Sequence, residues 1–430
     1  MNVMHKSRLP ISIVLLGGVS FLNELSSQIV APLIPLLLAT VLGAGPVALG
    51  LVEGVADALA SLLKLWAGRR SDLLGQKRKG FILGGYGLSV VSRPLIGLAV
   101  NWPMVLLLRS LDRAGKGLRG APRDALVADA TPKDLRGRAY GLNRAFDYAG
   151  AVGGSLLAAA ALTYVSSTIS TVIFLSAVPG ACAVLLLALV VRDAPAPAAD
   201  QGRKAVPPLS WRALSQPSRR FLTVLIVFSF GRASESFILL RAHDLGMNTV
   251  TVLLLWALLC AIQSGVAWAG GGLSDRISKT TVVTATWLAY GVSLILIAMV
   301  QTTSGLWMAV CAYAFLTGMG EGAEKALVSE LATDADRGTA FGWHNMIVGL
   351  AAIPAGVLFG VIWTQTTAGV AFGVFGGLAI VSAVLLRLGQ PGGTMGDRSV
   401  RSELDFGHSR CVASDLYQAI HSAAEHLVDV

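Results

Sequence analysis

The sequence predicts an all-α polytopic membrane protein with twelve transmembrane helices in two pseudo-symmetric six-helix halves. Three observations predict this class: an apolar composition, a series of apolar runs of membrane-spanning length, and an internal repeat. Hydrophobic residues make up 54% of the 430 residues and charged residues 14%, whereas average soluble chains carry about 25% charged residues. This composition excludes a disordered chain, a nucleic-acid-binding domain and an ordinary cytosolic enzyme.

Apolar runs of about 20 residues, the length that crosses a bilayer, account for eleven helices. They cover 11–41, 46–67, 80–100, 139–164, 168–191, 221–242, 249–270, 280–301, 305–331, 338–364 and 367–387. The stretch 103–130 begins apolar and then carries many charges, so parity must decide it. The basic segments 69–79 and 276–279 both belong on the cytoplasmic side by the positive-inside rule, so an even number of crossings separates them. Including 103–130 gives twelve helices with both termini cytoplasmic.

Charge and composition along the chain divide it into parts. Residues 192–220 are rich in Pro, Ala and charge, which predicts a cytoplasmic loop between the halves 1–191 and 221–389, followed by a polar cytoplasmic tail at 390–430. The net charge of +9 is interpreted as Lys and Arg of cytoplasmic loops held at the lipid bilayer of a cell inner membrane, and no nucleic acid partner is expected.

The two halves share short motifs at a nearly constant offset. Gly68-x-x-Ser71-Asp72 recurs as Gly271-x-x-Ser274-Asp275, 203 residues later. Arg136-Gly-x-Ala-Tyr-Gly141 recurs as Arg337-Gly-x-Ala-Phe-Gly342, 201 residues later. Internal repeats of six-helix units are typical of secondary transporters.

The first of these motifs carries a family resemblance. The loop Gly68-Arg-Arg-Ser-Asp-Leu-Leu-Gly-Gln-Lys-Arg78 resembles the signature loop between helices two and three of the major facilitator superfamily, and the resemblance covers about residues 10–390. It implies alternating access, with this loop as a conformational latch. The latch residues that it implies are Gly68, Asp72, Gly75, Lys77 and Arg78, and in the second copy Gly271, Asp275 and Arg276.

The helix at 103–130 carries an unusual charged face. Seven charged residues share about 140° of its surface by helical periodicity: Arg109, Asp112, Arg113, Lys116, Arg119, Arg123 and Asp124. One charge at the bilayer centre costs about 2.5–3.5 kcal/mol on the mildest scale, so this face cannot contact lipid. In one interpretation Arg113 and Lys116 line a central cavity and bind an anion or a protonatable carboxylate. In the other the face belongs to a cytoplasmic ion-pair network that holds the halves together.

The functional interpretation is favoured for Arg113 and Lys116, and the network for the charges nearer the cytoplasm. The predicted network comprises Arg119, Arg123, Asp124, Glu321, Glu324 and Lys325. At the repeat offset of 201, Arg123 corresponds to Glu324 and Asp124 to Lys325. These opposite charges would pair when the cytoplasmic side closes.

Intramembrane carboxylates are functional candidates. Glu24 lies near the middle of the first helix and is the first proton-site candidate, with a buried and fully hydrogen-bonded carboxylate as the alternative. A substrate that competes with Glu24 for Arg113 would couple its binding to a proton. The remaining substrate or coupling candidates are Asn23, Gln28, Asp57, Arg109, Asp147 and Glu235.

No nucleotide-binding, metal-binding or hydrolase motif accompanies these residues, so no cofactor, metal or enzymatic activity is expected. His344 is interpreted as a satisfied buried histidine. We expect a monomeric secondary active transporter of a small organic solute, anionic or zwitterionic, coupled to protons. The segment Gly150-Ala-Val-Gly-Gly154 resembles the glycine-rich motif of proton antiporters of the superfamily and suggests efflux. The alternatives are proton-symport uptake of an organic anion and a non-transporting membrane sensor with a permease fold.

Overall fold

The computed structural model describes residues 10–73, 78–132, 135–190, 210–274, 278–320, 322–333 and 336–389. Several residues of the predicted sites lie outside these ranges: Gly75, Lys77, Asp275, Arg276 and Glu321. Of Asp72 and Gly271 only the helical backbone is described. Residues 192–209 of the predicted central loop and the predicted tail from 390 onward are likewise outside them.

The described residues contain no strand, and their sixteen α-helical segments can be grouped by position along the chain into twelve helices. The first six are α1 (Ile11–Val30, continued by short turns to Val41), α2 (Pro46–Leu73), α3 (Lys79–Ile96), α4 (Trp102–Asp129), α5 (Arg136–Tyr164) and α6 (Ile169–Leu175 with Ala177–Val190). The second six are α7 (Gln216–Phe230 with Ser236–Asp244), α8 (Thr249–Ser274), α9 (Lys279–Met299), α10 (Thr303–Gly318 with Ala323–Leu331), α11 (Arg337–Gln365) and α12 (Ala368–Leu388).

Eight of these helices are long and apolar enough to cross a membrane: α1, α2, α5, α6, α8, α9, α11 and α12. Charges in α3 and α4 and interruptions in α7 and α10 make the other four less apolar or shorter. The stretch 103–130 does form one continuous helix, as predicted. That α3, α4, α7 and α10 also cross the bilayer remains a prediction.

Two interruptions have local causes. In α10 the backbone turns at Gly322, whose φ of 89° is a conformation that favours glycine. In α7 the helix stops at Phe230, and the freed N–H of Ala233 donates to Tyr290 Oη at 2.9 Å. This hydrogen bond satisfies a backbone group that apolar surroundings would otherwise leave unpaired. Each break places polar backbone and side chains beside the space between the two halves.

The halves pack against each other mainly through α2 with α11 and α5 with α8. The approach of α2 to α11 is very close, because a Cβ at Gly50 would lie only 2.0 Å from the carbonyl oxygen of Gly356, and one at Gly360 2.6 Å from that of Pro46. These contacts lie near the start of α2 and the end of α11. We call the end of the bundle where α2 meets α3 and α4 meets α5 the basic end. We call the end that holds these glycine contacts the opposite end.

Candidate functional site

A cavity of about 1010 Å³ separates the halves. It extends from the glycine contact of α2 and α11 toward the basic end, where Lys64, Tyr140 and Lys325 line it. Eight cationic and six acidic side chains of the described residues line this cavity: Lys64, Arg113, Lys116, Arg119, Arg123, Arg144, Arg232 and Lys325, with Glu24, Glu53, Asp57, Asp124, Asp147 and Glu235. The cavity therefore suits a polar or charged solute better than an apolar one.

The charged face of α4 divides into three parts, of which the first is buried inside its own half. Asp112 Oδ1 receives a hydrogen bond from Arg93 Nε at 2.7 Å, and Asp112 Oδ2 lies 3.4 Å from Arg109 Nη1. Arg109 Nη2 also lies 3.2 Å from Glu53 Oε2. Two arginines and two carboxylates thus pair with each other, which is the condition for keeping such charges away from water. Arg109, a predicted binding residue, is placed here as a buried member of an ion-pair network.

Arg93 was missed by the sequence analysis and joins three helices. Besides Asp112 of α4, it donates to the backbone oxygen of Asn23 at 3.1 Å, to Asn23 Oδ1 at 3.0 Å and to Ser26 Oγ at 3.2 Å, all on α1. The signal was available, because Arg93 is the one arginine within the apolar run 80–100. Asn23, which lines the cavity, is held by this arginine.

The second part of the face looks into the cavity. Arg113 is 19% exposed, and its Nη2 and Nε lie 3.9 Å from Glu53 Oε2 and 3.8 Å from Asp57 Oδ1. These ion pairs are long, so the guanidinium can exchange partners. Lys116, one turn further along, is exposed to the cavity. Both residues occupy the place that the functional interpretation of the sequence required.

Glu24 faces these cations from α1. Its Oε1 accepts a hydrogen bond from Gln28 Nε2 at 3.2 Å, and Gln28 Oε1 accepts one from Trp256 Nε1 of α8 at 2.9 Å. Lys116, Arg93 and Arg113 are the cations whose charges act on Glu24. We expected Arg113 to be the partner of Glu24, but the structure places Arg113 against Glu53 and Asp57.

The glycine-rich segment of α5 brings that helix against α1 at this level. A Cβ at Gly150 would lie 2.6 Å from the carbonyl oxygen of Phe21, and a Cβ at Gly154 would lie 2.5 Å from that of Leu25. The two glycines therefore close the wall behind Glu24 and Gln28.

The third part of the face lies nearer the basic end. Arg119 donates to Ser89 Oγ at 2.7 Å and stacks over the Tyr86 ring. Arg123 donates to Ser20 Oγ at 2.8 Å and lies 3.7 Å from Asp147 Oδ2.

All of these partners belong to the first half. Glu324 pairs with Arg232 of the second half, so the pairing of Arg123 with Glu324 across the halves is not made in this open conformation. Lys325 lines the cavity at this level.

The wall of the second half is largely neutral around one carboxylate. Glu235 Oε1, at the break of α7, accepts hydrogen bonds from Gln263 Nε2 at 2.9 Å and Tyr313 Oη at 3.1 Å. No cation of the described residues lies within ion-pair distance of it. Trp256, Cys260 and Gln263 line the same wall at helical spacing on α8.

Part of the predicted latch is described. A Cβ at Gly68 would lie 3.2 Å from Ala121 Cβ, so this glycine lets α2 approach α4 closely. Arg78, at the start of α3, pairs with Asp129 at the end of α4. This ion pair ties the loop between α2 and α3 to the loop between α4 and α5 at the basic end.

The comparisons with known proteins identify the family. The model of the Major Facilitator Superfamily matches residues 16–325 and 269–413. The chain belongs to the major facilitator superfamily. It is 31% identical over 381 residues to an uncharacterised MFS-type transporter of Methanocaldococcus jannaschii, covering 87% of this chain and 94% of that one. This result confirms the family and the helical membrane fold that the sequence predicted. Members of this family are transporters and not enzymes, which also agrees with the prediction from the sequence.

Solved structures share the fold. A crystal structure of a variant of the nucleoside transporter NupG superimposes with a TM-score of 0.72 at 13% identity, covering 87% of this chain and 99% of that one. The human organic anion transporter MFSD10 superimposes with a TM-score of 0.63 at 16% identity, covering 88% of this chain and all of that one. At these identities the likeness concerns the fold alone. The protein is therefore a superfamily transporter of a small-molecule substrate.

Proposed function

We propose that this transporter binds a small organic anion together with a proton in the cavity between its halves. The observation that carries the proposal is that Glu24 and Lys116, which is exposed, line the same cavity. Arg113 adds a second cation whose ion pairs are long.

At such a site, binding of the proton strengthens binding of the anion, and binding of the anion strengthens binding of the proton. A proton on Glu24 removes a negative charge from the cavity that Lys116 lines, so that Lys116 attracts the anion more strongly. Conversely, an anion on Lys116 neutralises that cation, so that Glu24 takes up a proton more readily. Binding linkage is reciprocal. A transporter with this linkage is a proton symporter, and a proton gradient directed into the cell drives uptake of the anion.

A second candidate is proton-coupled export of a zwitterion. Glu235 supports it, because its carboxylate is held by two neutral donors and lies in the wall opposite the cations of α4. A substrate with an ammonium group would compete with a proton for Glu235, which is the linkage that exchange requires. The packing of Gly150 and Gly154 against α1 also fits the antiporter resemblance.

The conformation fits alternating access. Glycine contacts join α2 and α11 at the opposite end, while the cavity reaches the basic end. By the positive-inside rule the basic end faces the cytoplasm of a cell inner membrane, with both termini on that side. In this proposal the halves 1–191 and 221–389 rock as units of a monomer, joined by 192–220, and the latch around Gly68 and Asp72 closes in the outward-open state.

The sign of proton movement tests the proposal. Purified protein is reconstituted into liposomes containing a pH-sensitive dye, and membrane-impermeant anions (gluconate, glucuronate and benzenesulfonate) are added outside. Symport acidifies the lumen. Addition of the zwitterions taurine and γ-aminobutyrate should alkalinise it if exchange at Glu235 operates. The Arg113→Ala protein, inserted to the same level, is the control. Anion transport of equal rate in that control, or no proton movement with any anion, would contradict the proposed symport.

A further inference from the structure

A buried cluster of ionisable side chains lies in the second half, apart from the cations of α4. At its centre Glu324 Oε1 of α10 accepts hydrogen bonds from Arg232 Nη2 at 2.5 Å and from Trp287 Nε1 at 2.9 Å. Its other oxygen, Oε2, lies 3.4 Å from Nε2 of His344 on α11. We call these four residues the Glu324 cluster.

The imidazole of His344 is the unusual member. Its side chain is 6% exposed, and neither ring nitrogen makes a hydrogen bond. The satisfied histidine expected from the sequence therefore requires that the contact of Nε2 with Glu324 be an ion pair. Buried polar groups are nearly always hydrogen-bonded, so an exception calls for an explanation. A protonated imidazole supplies one, because the contact of Nε2 with Glu324 would then be an ion pair, and histidine is the side chain whose charge ordinarily changes between pH 5 and 8.

The charge of the cluster reaches the substrate cavity. A side chamber of about 520 Å³ lies against it and is lined by His344, Trp287, Glu324 and Arg232. Arg232 lines the main cavity as well, as do Val348 and Asn345. With a neutral His344, Arg232 and Glu324 cancel each other. With a protonated His344 the cluster carries one net positive charge. Because Arg232 lines the main cavity, this charge makes the electrostatic potential at the cavity wall more positive.

Other charged and titratable groups face this chamber from every neighbouring helix. They are Arg144 and Tyr148 of α5, Arg232 of α7, Tyr290 of α9 and Lys325 of α10, with Lys64 of α2 in Coulomb range of Lys325. Among these described groups Glu324 is the carboxylate that contacts His344. A proton from the chamber can therefore be held between the imidazole and Glu324.

We propose that the Glu324 cluster is a second proton-binding site, in which His344 accepts the proton and thereby adds one positive charge to the wall of the anion cavity. Its consequence for transport, a second proton bound with the anion, rests on the function proposed above. The site itself does not, because proton binding and the resulting electrostatic potential can be measured without any substrate.

The potential can be measured with one cysteine. Val348 lies one turn beyond His344 on α11 and lines both cavities. Val348→Cys is introduced into the full chain after Cys182, Cys260, Cys311 and Cys411 are replaced by Ser. Its reaction rates are measured with an anionic (sulfonatoethyl) and a cationic (trimethylammonioethyl) methanethiosulfonate. Both reagents attack the same thiolate, so the ratio of their rates cancels its ionisation and reports the local charge.

We expect the anionic-to-cationic rate ratio to rise at least fivefold between pH 8.5 and 5.5. The rise should be lost in His344→Gln, or in His344→Asn if the first variant does not insert. It should be kept in the matched control His243→Gln, because His243 lies near the end of α7, away from Arg232 at the break of that helix. A ratio that does not change with pH, or that changes equally in the His344 variants, overturns the second proton site. A rise confined to proteins with His344, in a protein that transports none of the anions tested, would support the site and contradict the proposed function.

Discussion

The two halves present opposite chemistry at equivalent positions of α4 and α10. At the repeat offset of 201 residues, four charged residues of α4 correspond to neutral residues of α10: Arg109 to Val310, Asp112 to Tyr313, Arg113 to Ala314 and Lys116 to Thr317. Tyr313 donates to the carboxylate of Glu235, and Thr317 accepts from the amide that holds it. One helix therefore supplies cations to the cavity, and its counterpart supplies neutral donors around a single carboxylate.

The difference shows how a duplicated fold acquires a polarised cavity. The charges of α4 are tolerated because five of the seven find partners inside their own half, which leaves Arg113 and Lys116 to face water and substrate. Among the residues that the structure describes, the counterpart has no such network at this depth. Its ion pairs lie further toward the basic end, where Glu324 meets Arg232. The buried network of α4 thus holds this helix so that Arg113 and Lys116 face the cavity. Breaking the network should therefore have the largest effect.

Asp112→Ala should have the largest effect. It removes the carboxylate shared by Arg93 and Arg109 and leaves two buried cations with too little negative charge, at a cost of about 3–5 kcal/mol. Thermal unfolding in detergent measures the loss. Asp124→Ala is the matched control, because the Asp124 side chain is half-exposed on the same helix and exposed ion pairs contribute about 0–1 kcal/mol. Equal stability of the two variants would show that the network is dispensable.

Sequence periodicity predicted which residues of α4 share a face but not how that face divides. Spacing gives the angle of Asp112 and Arg113 around the helix, whereas their partners come from α2 and α3. The sequence marks Arg93 as a lone arginine in an apolar run, but not the three helices that it joins. The conformation is also absent from the sequence. The repeat pairs Arg123 with Glu324, yet in this open state each finds a partner in its own half. The helices and the family motif were predictable because they depend on local apolar runs and on one contiguous loop.

Lys116→Gln tests whether the cations of α4, and not the neutral residues of α10, attract the substrate in the cavity. Because it removes a cation and keeps the volume, we expect anion transport in liposomes to fall at least tenfold with unchanged insertion, since about 1.4 kcal/mol of lost attraction corresponds to a factor of ten. Thr317→Val changes the corresponding residue of α10 and should reduce the same transport less than threefold. A larger loss from Thr317→Val than from Lys116→Gln would place the substrate against the second half.

Gly356→Ala tests the contact that joins the halves. Its Cβ would lie 2.5 Å from the carbonyl oxygen of Gly50, so α2 and α11 must separate at the opposite end, which overpacking makes unfavourable by about 1–3 kcal/mol. Distances between spin labels at 45 and 366 should lengthen and this conformation should become less populated. Gly373→Ala adds the same methyl group where no atom lies within 4 Å, and its distance distribution should match that of the parent protein.

The smallest effect concerns the loops at the basic end, where the halves also differ. Asp336, just before α11, accepts hydrogen bonds from the N–H of Ser215 at 2.7 Å and from Thr333 Oγ1 at 2.7 Å. Its counterpart before α5 is Leu135, whose side chain cannot accept hydrogen bonds. Burial alone would raise the pKa of the Asp336 carboxyl, but these hydrogen bonds lower it below its ordinary value. The carboxylate thus ties the start of α7 to the start of α11.

Asp336→Asn should therefore destabilise the protein by about 1 kcal/mol near neutral pH. A group with a lowered pKa contributes stability above its unfolded value, near pH 4, and loses it as the pH falls through the folded value. The stability difference between parent and variant, followed by thermal unfolding, should be constant above about pH 5 and shrink below about pH 4. Asp244→Asn, at an exposed position of α7, should show no difference at either pH. A difference for Asp336→Asn that persists undiminished into acid would mean that the aspartate acts through its shape and not through its charge.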